Sequence, residues 1–348
     1  MRSYRDILTL ILNIHMKAAR CTTYLVSAFL IVWLPACGKS YPLSVASELR
    51  VELVPVEIDS RNPRRVDFDR LRLMSAFQLH SADSRFGGLS GLAIGADGRL
   101  YAVSDRGFWF SALMRVDATG RLLNLSDWRV ANLLTPEMTP VGKLVNDAEA
   151  LARAPDGSFI VAFEQLHRLW RYLPPPKTFS SAAAPVWIPS EISKAPRNGG
   201  LEAIGILADE RILAIAEEFA NRDGSVKAWL IHNGRSAELS YARSDGFSPS
   251  DATVLKNGDV LVLERRFRWV NYFSARLKLV KGRDLRPGAK IVGEELLRLD
   301  TPLTVDNFEG VAAMETSDGT VIFLVSDDNY FSLQSTLLFQ FLLPKNGE

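Results

Sequence analysis

Residues 198–217 read NGGLEAIGILADERILAIAE, which is two aliphatic runs on either side of the turn-forming pair Asp209-Glu210. Two apolar runs joined by a short polar turn predict a β-hairpin. One residue breaks the pattern, because Glu202 lies inside the first apolar run. A single acid at such a position means little, but the same unit recurs along the chain.

The hairpin unit occurs five times, and each copy has the same order of features. A small or turn-forming entry precedes a polar or acidic residue, an apolar run, a turn pair and a second aliphatic strand. The first strands of the five copies are GGLSGLAI (87–94), NDAEALAR (146–153), GGLEAIGI (199–206), SPSDATVL (248–255) and DNFEGVAA (306–313). Their spacing is about the length of a four-stranded propeller blade, so the sequence predicts an all-β propeller with five blades.

Two further segments predict how the ring closes. The strand at 71–79 precedes the first unit without a blade of its own, whereas the fifth unit ends one strand short after residues 335–343. Pairing the two segments closes the ring and removes an open sheet edge. The predicted propeller spans 66–345 and follows a linker or strand at 38–65. A sixth, degenerate blade formed by residues 48–80 is the alternative to five blades.

The N-terminal segment 1–37 has the features of a bacterial lipoprotein signal. From Met16, which is an alternative start, two basic residues precede an apolar run at 24–34, and the tetrapeptide LPAC ends at Cys37. The apolar run is of signal-peptide length and short for a membrane span. We therefore expect Cys37 to carry lipid and to anchor the protein to a membrane of the cell envelope, at the outer membrane or the periplasmic face. A plain signal peptide or an uncleaved anchor is the alternative.

Cysteine content and net charge exclude several classes of function. The two cysteines, Cys21 and Cys37, both lie in the predicted signal segment, so the mature protein has no thiol for disulfides, zinc or catalysis. The net charge is +1, which gives no reason to expect nucleic acid as a partner. We expect the protein to be a monomer and its ligand to be a small molecule.

The placement of the acids predicts a shared site. In an antiparallel hairpin the start of the first strand lies beside the end of the second. The first strands carry a polar residue at the shared position, namely Ser90, Glu149, Glu202, Asp251 and Glu309. The second strands end in an acid, namely Asp105, Glu164, Glu217, Glu264 and Asp327. The innermost strand of every blade lines the central channel, so nine carboxylates and one serine are predicted at one mouth.

Such a ring of acids requires positive charge, because neighbouring carboxylates repel one another. A calcium ion is one solution, since oxygen-only ligands suit a hard divalent cation. The predicted metal ligands are Asp105, Glu149, Glu202, Asp251, Glu309 and Asp327. The alternative is structural, in which strand-end acids cap turns or pair with the nearby arginines and hold adjacent blades together.

Taken in order, the motifs resemble the bacterial phytase-like family, described as having an esterase-like activity of phytase. The matching motifs are GGLSGLAI with AVSDRG, then NDAEALA, GGLEAI, SDATVL with LVLERRF, and NFEGVAAM with LVSDDN, over about residues 70–343. The resemblance implies a β-propeller that hydrolyses phosphoesters. It carries the family's acidic positions onto Asp105, Glu149, Glu202, Asp251, Glu309 and Asp327, with an aspartate in the fourth unit as a departure.

The chemistry expected of such a site is metal-dependent hydrolysis. A calcium ion lowers the pKa of bound water and polarises a phosphoryl oxygen. Glu149, Glu202 and Glu309 are the predicted catalytic carboxylates. A carboxylate that does not bind the metal takes the proton of the attacking water. The predicted phosphate-binding residues are Arg106, Arg265, Arg266 and His167, so we expect the ligand to be a phosphoester or a similar anion. For His167 the alternative is a structural role as a partly buried histidine of its hairpin. The alternatives are a propeller lactonase or carboxylesterase and a non-catalytic binding propeller at the cell envelope.

Overall fold

Five mostly antiparallel sheets follow one another along the chain. The computed structural model describes residues 46–142, 145–270 and 272–345, and the signal segment with Cys37 lies outside them. Apart from strands, these residues form short 3-10 helices at Thr178–Ser180, Ser190–Lys194 and Gly282–Asp284. A search of the same residues finds no helix with the length and hydropathy needed to cross a membrane.

The N-terminal strands join sheets whose other strands come later in the chain. They are β1 (Ser47–Glu48), β2 (Glu52–Pro55), β3 (Asp67–Phe68) and β4 (Leu71–His80). The first blade consists of β5 (Leu89–Ile94), β6 (Arg99–Ser104), β7 (Phe108–Val116) and β8 (Leu122–Asn132). Strand β1 pairs with β8 and extends this blade at its outer edge.

The second and third blades are four-stranded meanders. The second consists of β9 (Ala148–Arg153), β10 (Phe159–Phe163), β11 (Arg168–Tyr172) and β12 (Ala184–Val186). The third consists of β13 (Leu201–Ile206), β14 (Ile212–Ala220), β15 (Val226–His232) and β16 (Arg235–Tyr241).

The last two blades contain the remaining strands. The fourth has β17 (Ser248–Val254), β18 (Val260–Arg268) and β19 (Tyr272–Val280), after which β20 (Lys290–Ile291) pairs in parallel with β16, and β21 (Glu294–Leu299) completes the fourth blade. The fifth has β22 (Asn307–Glu315), β23 (Gly319–Asp327) and β24 (Leu337–Pro344). Strand β4 pairs with β24 as the fourth strand of this blade, which confirms the predicted closure. The described residues of 48–80 contribute to the first and fifth blades and form no sixth one.

Apolar cores lie between successive blades, as a propeller requires. Five clusters of buried side chains each combine residues of two neighbouring blades, including the fifth and the first. Between the first and second blades, for example, Trp109 and Phe159 are both fully buried, with ring centroids 5.8 Å apart. Every blade therefore buries both of its faces, and this explains why its strands are nearly continuous apolar runs. The five-bladed propeller predicted from the repeats is confirmed.

The innermost strands β5, β9, β13, β17 and β22 contact one another around the axis of the ring. Glycines allow this close approach. A Cβ atom on Gly91 would lie 2.6 Å from the backbone nitrogen of Leu151 in the next blade, and one on Gly310 would lie 3.1 Å from the Cβ of Leu92. Little space remains at that level of the channel, and the wider cavity lies toward the end where the innermost strands begin.

Candidate functional site

A β-bulge interrupts each innermost hairpin at the same place. In every case one residue of the inner strand has no partner in the register, and these residues are Ser90, Glu149, Glu202, Ser250 and Glu309. A bulge inserts an extra residue into one strand and changes the direction of its side chain. Glu149, Glu202 and Glu309 are therefore bulge residues, and this is why the apolar pattern continues on both sides of Glu202.

Three of the five bulge residues, Glu149, Glu202 and Glu309, line a cavity of about 1070 Å³ at the end of the ring where the innermost strands begin. Nine carboxylates line it in the described part of the chain: Asp105, Asp147, Glu149, Glu164, Glu202, Glu217, Asp306, Glu309 and Asp327. Five of the six predicted metal ligands and all three predicted catalytic carboxylates thus lie in one cavity.

Arg265 is the sole cation among the described residues that line this cavity. Its guanidinium lies 3.1 Å from Glu217, 3.3 Å from Glu202 and 3.4 Å from Glu309. Burial opposes the charge on Arg265, but the combined charges of Glu309, Glu202 and Glu217 outweigh it and raise the pKa of the guanidinium. A single arginine thus serves three acids and leaves most of the carboxylates without a cation.

Three acids of the second blade form a tighter group. Carboxylate oxygens of Asp147, Glu149 and Glu164 all lie within 4.8 Å of one another. Two further oxygens of residues that line the cavity are buried and have no hydrogen-bond partner, Asp105 Oδ1 and Asn307 Oδ1. Buried polar atoms are normally paired, so these two oxygens are exceptions in an acidic cavity.

Burial and mutual repulsion raise the pKa of these carboxyls. The pKa of Asp105 rises to about 7 through burial and the charge of Asp147. The pKa of Glu164 also rises to about 7, because burial and the charge of Glu217 outweigh a hydrogen bond donated by the Gly200 N–H. Burial is likewise the largest cause of the raised pKa at Glu149, Glu202, Glu309 and Asp327. Without a bound cation, this cavity takes up protons near neutral pH.

The fourth blade departs from the sequence prediction by one residue in each strand. Its bulge residue is Ser250, so Asp251 faces the channel interior below the cavity, where it accepts hydrogen bonds from the Ala252 N–H at 2.8 Å and the Val311 N–H at 2.7 Å. The next strand presents Arg265 to the cavity in place of Glu264. A one-residue shift of register moves a side chain to the opposite face, and this removes both acids from the predicted ring.

Glu264 has a structural environment instead. It is fully buried and pairs with buried Arg276, with Lys278 Nζ at 3.6 Å and with the Tyr241 hydroxyl at 3.1 Å. Tyr241 belongs to the third blade, so this network connects two blades. The structural alternative for strand-end acids therefore applies to Glu264 and Asp251, and the pairs that Glu202, Glu217 and Glu309 make with Arg265 of the fourth blade also connect neighbouring blades.

Two acids of the cavity were absent from the sequence prediction. Asp147 lies two residues before the bulge at Glu149, and its carboxylate accepts a hydrogen bond from Gln165 at 2.6 Å. Asp306 lies three residues before the bulge at Glu309 and accepts a hydrogen bond from the Ser335 N–H at 2.8 Å. A usable signal was present, since both acids stand in the turn-forming entries NDAEA and DNFEG.

Three predicted phosphate-binding residues lie outside the cavity lining. Arg106 stacks on the Tyr330 ring, 3.2 Å from its centroid. Arg266 is next to Arg265 on the same strand and faces the other way, where it pairs with Asp300 at 3.0 Å. His167 donates a hydrogen bond from Nε2 to the Pro196 carbonyl oxygen, 2.9 Å away. Of the four predicted phosphate-binding residues only Arg265 lines the cavity, and its guanidinium is already paired with three carboxylates.

The fold and the site define a five-bladed propeller with an acidic cavity at one end of its central channel. The chain belongs to the phytase-like family, described as esterase-like activity of phytase, whose model matches residues 84–330. This confirms the family resemblance seen in the motifs. The family description names an esterase-like, and therefore hydrolytic, activity.

Comparison with solved structures gives distant similarities. The major allergen Mala s 1 of Malassezia sympodialis shares 14% identity, with 89% of this chain and 99% of that chain covered and a TM-score of 0.43. A candidate gluconolactonase shares 13% identity over 86% of this chain and 92% of that chain, with a TM-score of 0.41. The calcium-binding protein regucalcin from Agrobacterium tumefaciens shares 11% identity over 77% and 80%, with a TM-score of 0.40. No curated protein matches the chain.

Proposed function

We propose that this protein is a calcium-dependent phosphoesterase that acts in the acidic cavity. The observation that carries the proposal is the excess of carboxylates, nine around one committed arginine, together with two buried oxygens that have no hydrogen-bond partner. Folding such a cavity without compensating charge is unfavourable, because buried like charges repel strongly. A divalent cation supplies the compensation and a reaction centre at once.

The donor set fits calcium better than a transition metal. The side chains that could bind a metal in the described part of the cavity lining offer oxygen atoms, since this lining contains neither cysteine nor histidine. Calcium prefers six to eight carboxylate, amide and water oxygens and tolerates irregular geometry. Asp147, Glu149 and Glu164 would hold the ion, with Asp105 and Asn307 as further residues of the lining whose oxygens lack partners.

The remaining residues of the cavity can assist hydrolysis. When bound, calcium lowers the pKa of water and polarises a phosphoryl oxygen. Glu202 and Glu309 lie on the Arg265 side, outside the tight group, and are the carboxylates we assign to accept the proton of the attacking water. Arg265 pairs with both carboxylates and holds them in place.

A carboxylesterase or lactonase is the second candidate, and one observation favours it. Arg265 is already paired with three acids, and Arg106 and Arg266 lie outside the lining. A neutral ester needs no free arginine, whereas the negative charge of a phosphoester must be met entirely by bound cations. Substrate charge therefore separates the two functions.

The test compares two substrates with the same leaving group in the purified mature protein. With calcium present we expect hydrolysis of bis(4-nitrophenyl) phosphate, no hydrolysis after chelation, and little turnover of 4-nitrophenyl acetate. Calcium at about a hundred times its Kd should add about 2.7 kcal/mol to the free energy of unfolding, or about 5 °C in Tm. Turnover of the acetate alone would establish the second candidate. A calcium-dependent Tm with no turnover of either substrate would establish a binding propeller.

We also propose that Cys37 carries the lipid anchor, on the basis of the LPAC sequence after an apolar run. The anchor places the protein at the cell envelope, on the outer membrane or the periplasmic face, because Gly38 rather than an aspartate follows the cysteine. The Cys37→Ser variant should leave the membrane fraction and appear as soluble or unprocessed protein. Retention of that variant in the membrane fraction, with the same electrophoretic mobility as the original chain, would contradict the proposal.

A further inference from the structure

One side of the cavity is apolar and strongly exposed. Trp269 is 87% exposed and Leu333 is 82% exposed, and Phe267, Tyr272 and Phe331 are exposed beside them. Scattered exposed apolar residues are ordinary, but a group of this size on one surface marks a binding site. All five line the same cavity as the carboxylates. We call this group the aromatic wall.

Two segments far apart in sequence form the aromatic wall. Phe267 lies at the end of β18 and Trp269 directly follows that strand, and their rings contact edge to face with centroids 5.3 Å apart. Phe273 at the start of β19 packs on Phe267 with centroids 5.1 Å apart and also lines the cavity. Phe331 and Leu333 lie in the connection after β23. The wall belongs to the fourth and fifth blades, whereas the tight acidic group belongs to the second.

The charge of the cavity restricts what kind of ligand can fill it. A ligand with many phosphates needs several free arginines or lysines, and among the described lining residues Arg265 is the sole cation and is paired with three acids. Bound calcium compensates one anionic group, but the aromatic wall offers no partner to a second. The cavity thus has one polar end and one apolar side.

Resting on the proposed function, we infer that the substrate is a phosphoester with a single phosphate and a large apolar group, which the aromatic wall binds. Trp269 and Phe331 are the residues that select it. Apolar side chains exposed to water gain binding free energy when a ligand covers them, at about 0.8 kcal/mol for each buried methylene. Trp and Phe are well suited to this because they lose little conformational entropy on binding.

Binding of alkyl phosphonates, whose carbon–phosphorus bond a phosphoesterase does not cleave, tests this inference without any need for turnover. In calcium buffer, isothermal titration calorimetry should show hexylphosphonate binding about 30-fold tighter than methylphosphonate, about half the effect of burying all the added methylenes. The double variant Trp269→Ala and Phe331→Ala should bring the ratio of the two affinities close to 1. The matched control is Trp187→Ala, an exposed tryptophan outside the cavity lining, which should leave the ratio unchanged.

The outcomes separate this inference from the proposed function. Equal affinities of the original protein for both phosphonates would overturn the aromatic wall as a substrate site, even if the protein hydrolyses phosphodiesters. A 30-fold preference without hydrolysis of any phosphodiester would keep the wall as a ligand site and overturn the phosphoesterase. If the double variant keeps the preference for hexylphosphonate but loses binding to phosphatidylcholine vesicles, the wall is a membrane-contacting surface and the inference is wrong.

Discussion

Replacing Glu149 and Glu164 together by glutamine is expected to lower calcium-dependent phosphodiester hydrolysis by about 10³-fold or more. The two side chains belong to the tight group whose carboxylate oxygens lie within 4.8 Å, and glutamine keeps their size while removing both charges. Loss of the ion removes the activated water and the stabilisation of developing charge, effects that are each worth orders of magnitude in rate. Initial rates on bis(4-nitrophenyl) phosphate over a calcium titration measure this loss.

The same variant should be more stable than the original chain when calcium is absent. Burial and repulsion raise the pKa of both carboxyls, so neutral isosteres relieve an unfavourable arrangement. Addition of calcium should then leave its Tm unchanged. The control pairs Glu238→Gln with Glu294→Gln, two exposed acids on outer strands, and should keep full activity and the full calcium effect. A destabilised Glu149/Glu164 variant that still responds to calcium would show that these acids are structural.

The fold follows from the sequence because a propeller repeats one local signal. Each copy of the hairpin unit has its own apolar runs and turn pair, so errors in one copy are corrected by the others. The closing strand was also predictable, since 71–79 had no partner before it and 335–343 lacked one after it, and β4 indeed pairs with β24. Local patterns and the need to pair every edge are sufficient for this architecture.

The site was less predictable because it depends on register. In the fourth unit, SPSDATVL, the acid looks equivalent to Glu202, but the bulge falls on Ser250 and turns Asp251 into the interior. A bulge adds one residue without a composition signal of its own, so sequence alignment by acidity selects the wrong position by one. The same shift exchanges Glu264 for Arg265 on the neighbouring strand. The cavity is therefore lined by Arg265 at the position where the sequence predicted the acid Glu264.

Side-chain direction explains the other differences. Arg265 and Arg266 are adjacent in sequence, yet successive residues of a strand point to opposite faces, so one enters the cavity and the other pairs with Asp300. Asp147 precedes its strand, where strand periodicity gives no expectation. The predicted acids that line the cavity are those that occupy the same place in their repeats, on either side of the bulge.

Without calcium, the protein is expected to lose stability as the pH rises from about 4 to about 7. The pKa of Asp105 moves from 3.8 to about 7 on folding, and that of Glu164 from 4.5 to about 7, in both cases chiefly through burial. Between these values the folded state binds more protons than the unfolded state, so the free energy of unfolding falls with increasing pH. Each shift corresponds to about 3 to 4 kcal/mol, and the two are coupled through the shared cavity.

Surface acids give the opposite trend at lower pH, which fixes the shape of the profile. Asp83 has its pKa lowered to about 2 by Arg85, so it adds stability as the pH rises from about 2 to about 4. The apo protein should thus be most stable near pH 4 to 5, as measured by urea unfolding in the presence of chelator. Calcium binds the ionised carboxylates, so in millimolar calcium the decline toward pH 7 should disappear. The variant Asp105→Asn with Glu164→Gln should show a flatter decline in chelator. A free energy of unfolding that rises steadily from pH 4 to pH 7 in chelator would mean that the cavity acids ionise without difficulty, and the electrostatic basis for a calcium site would be lost.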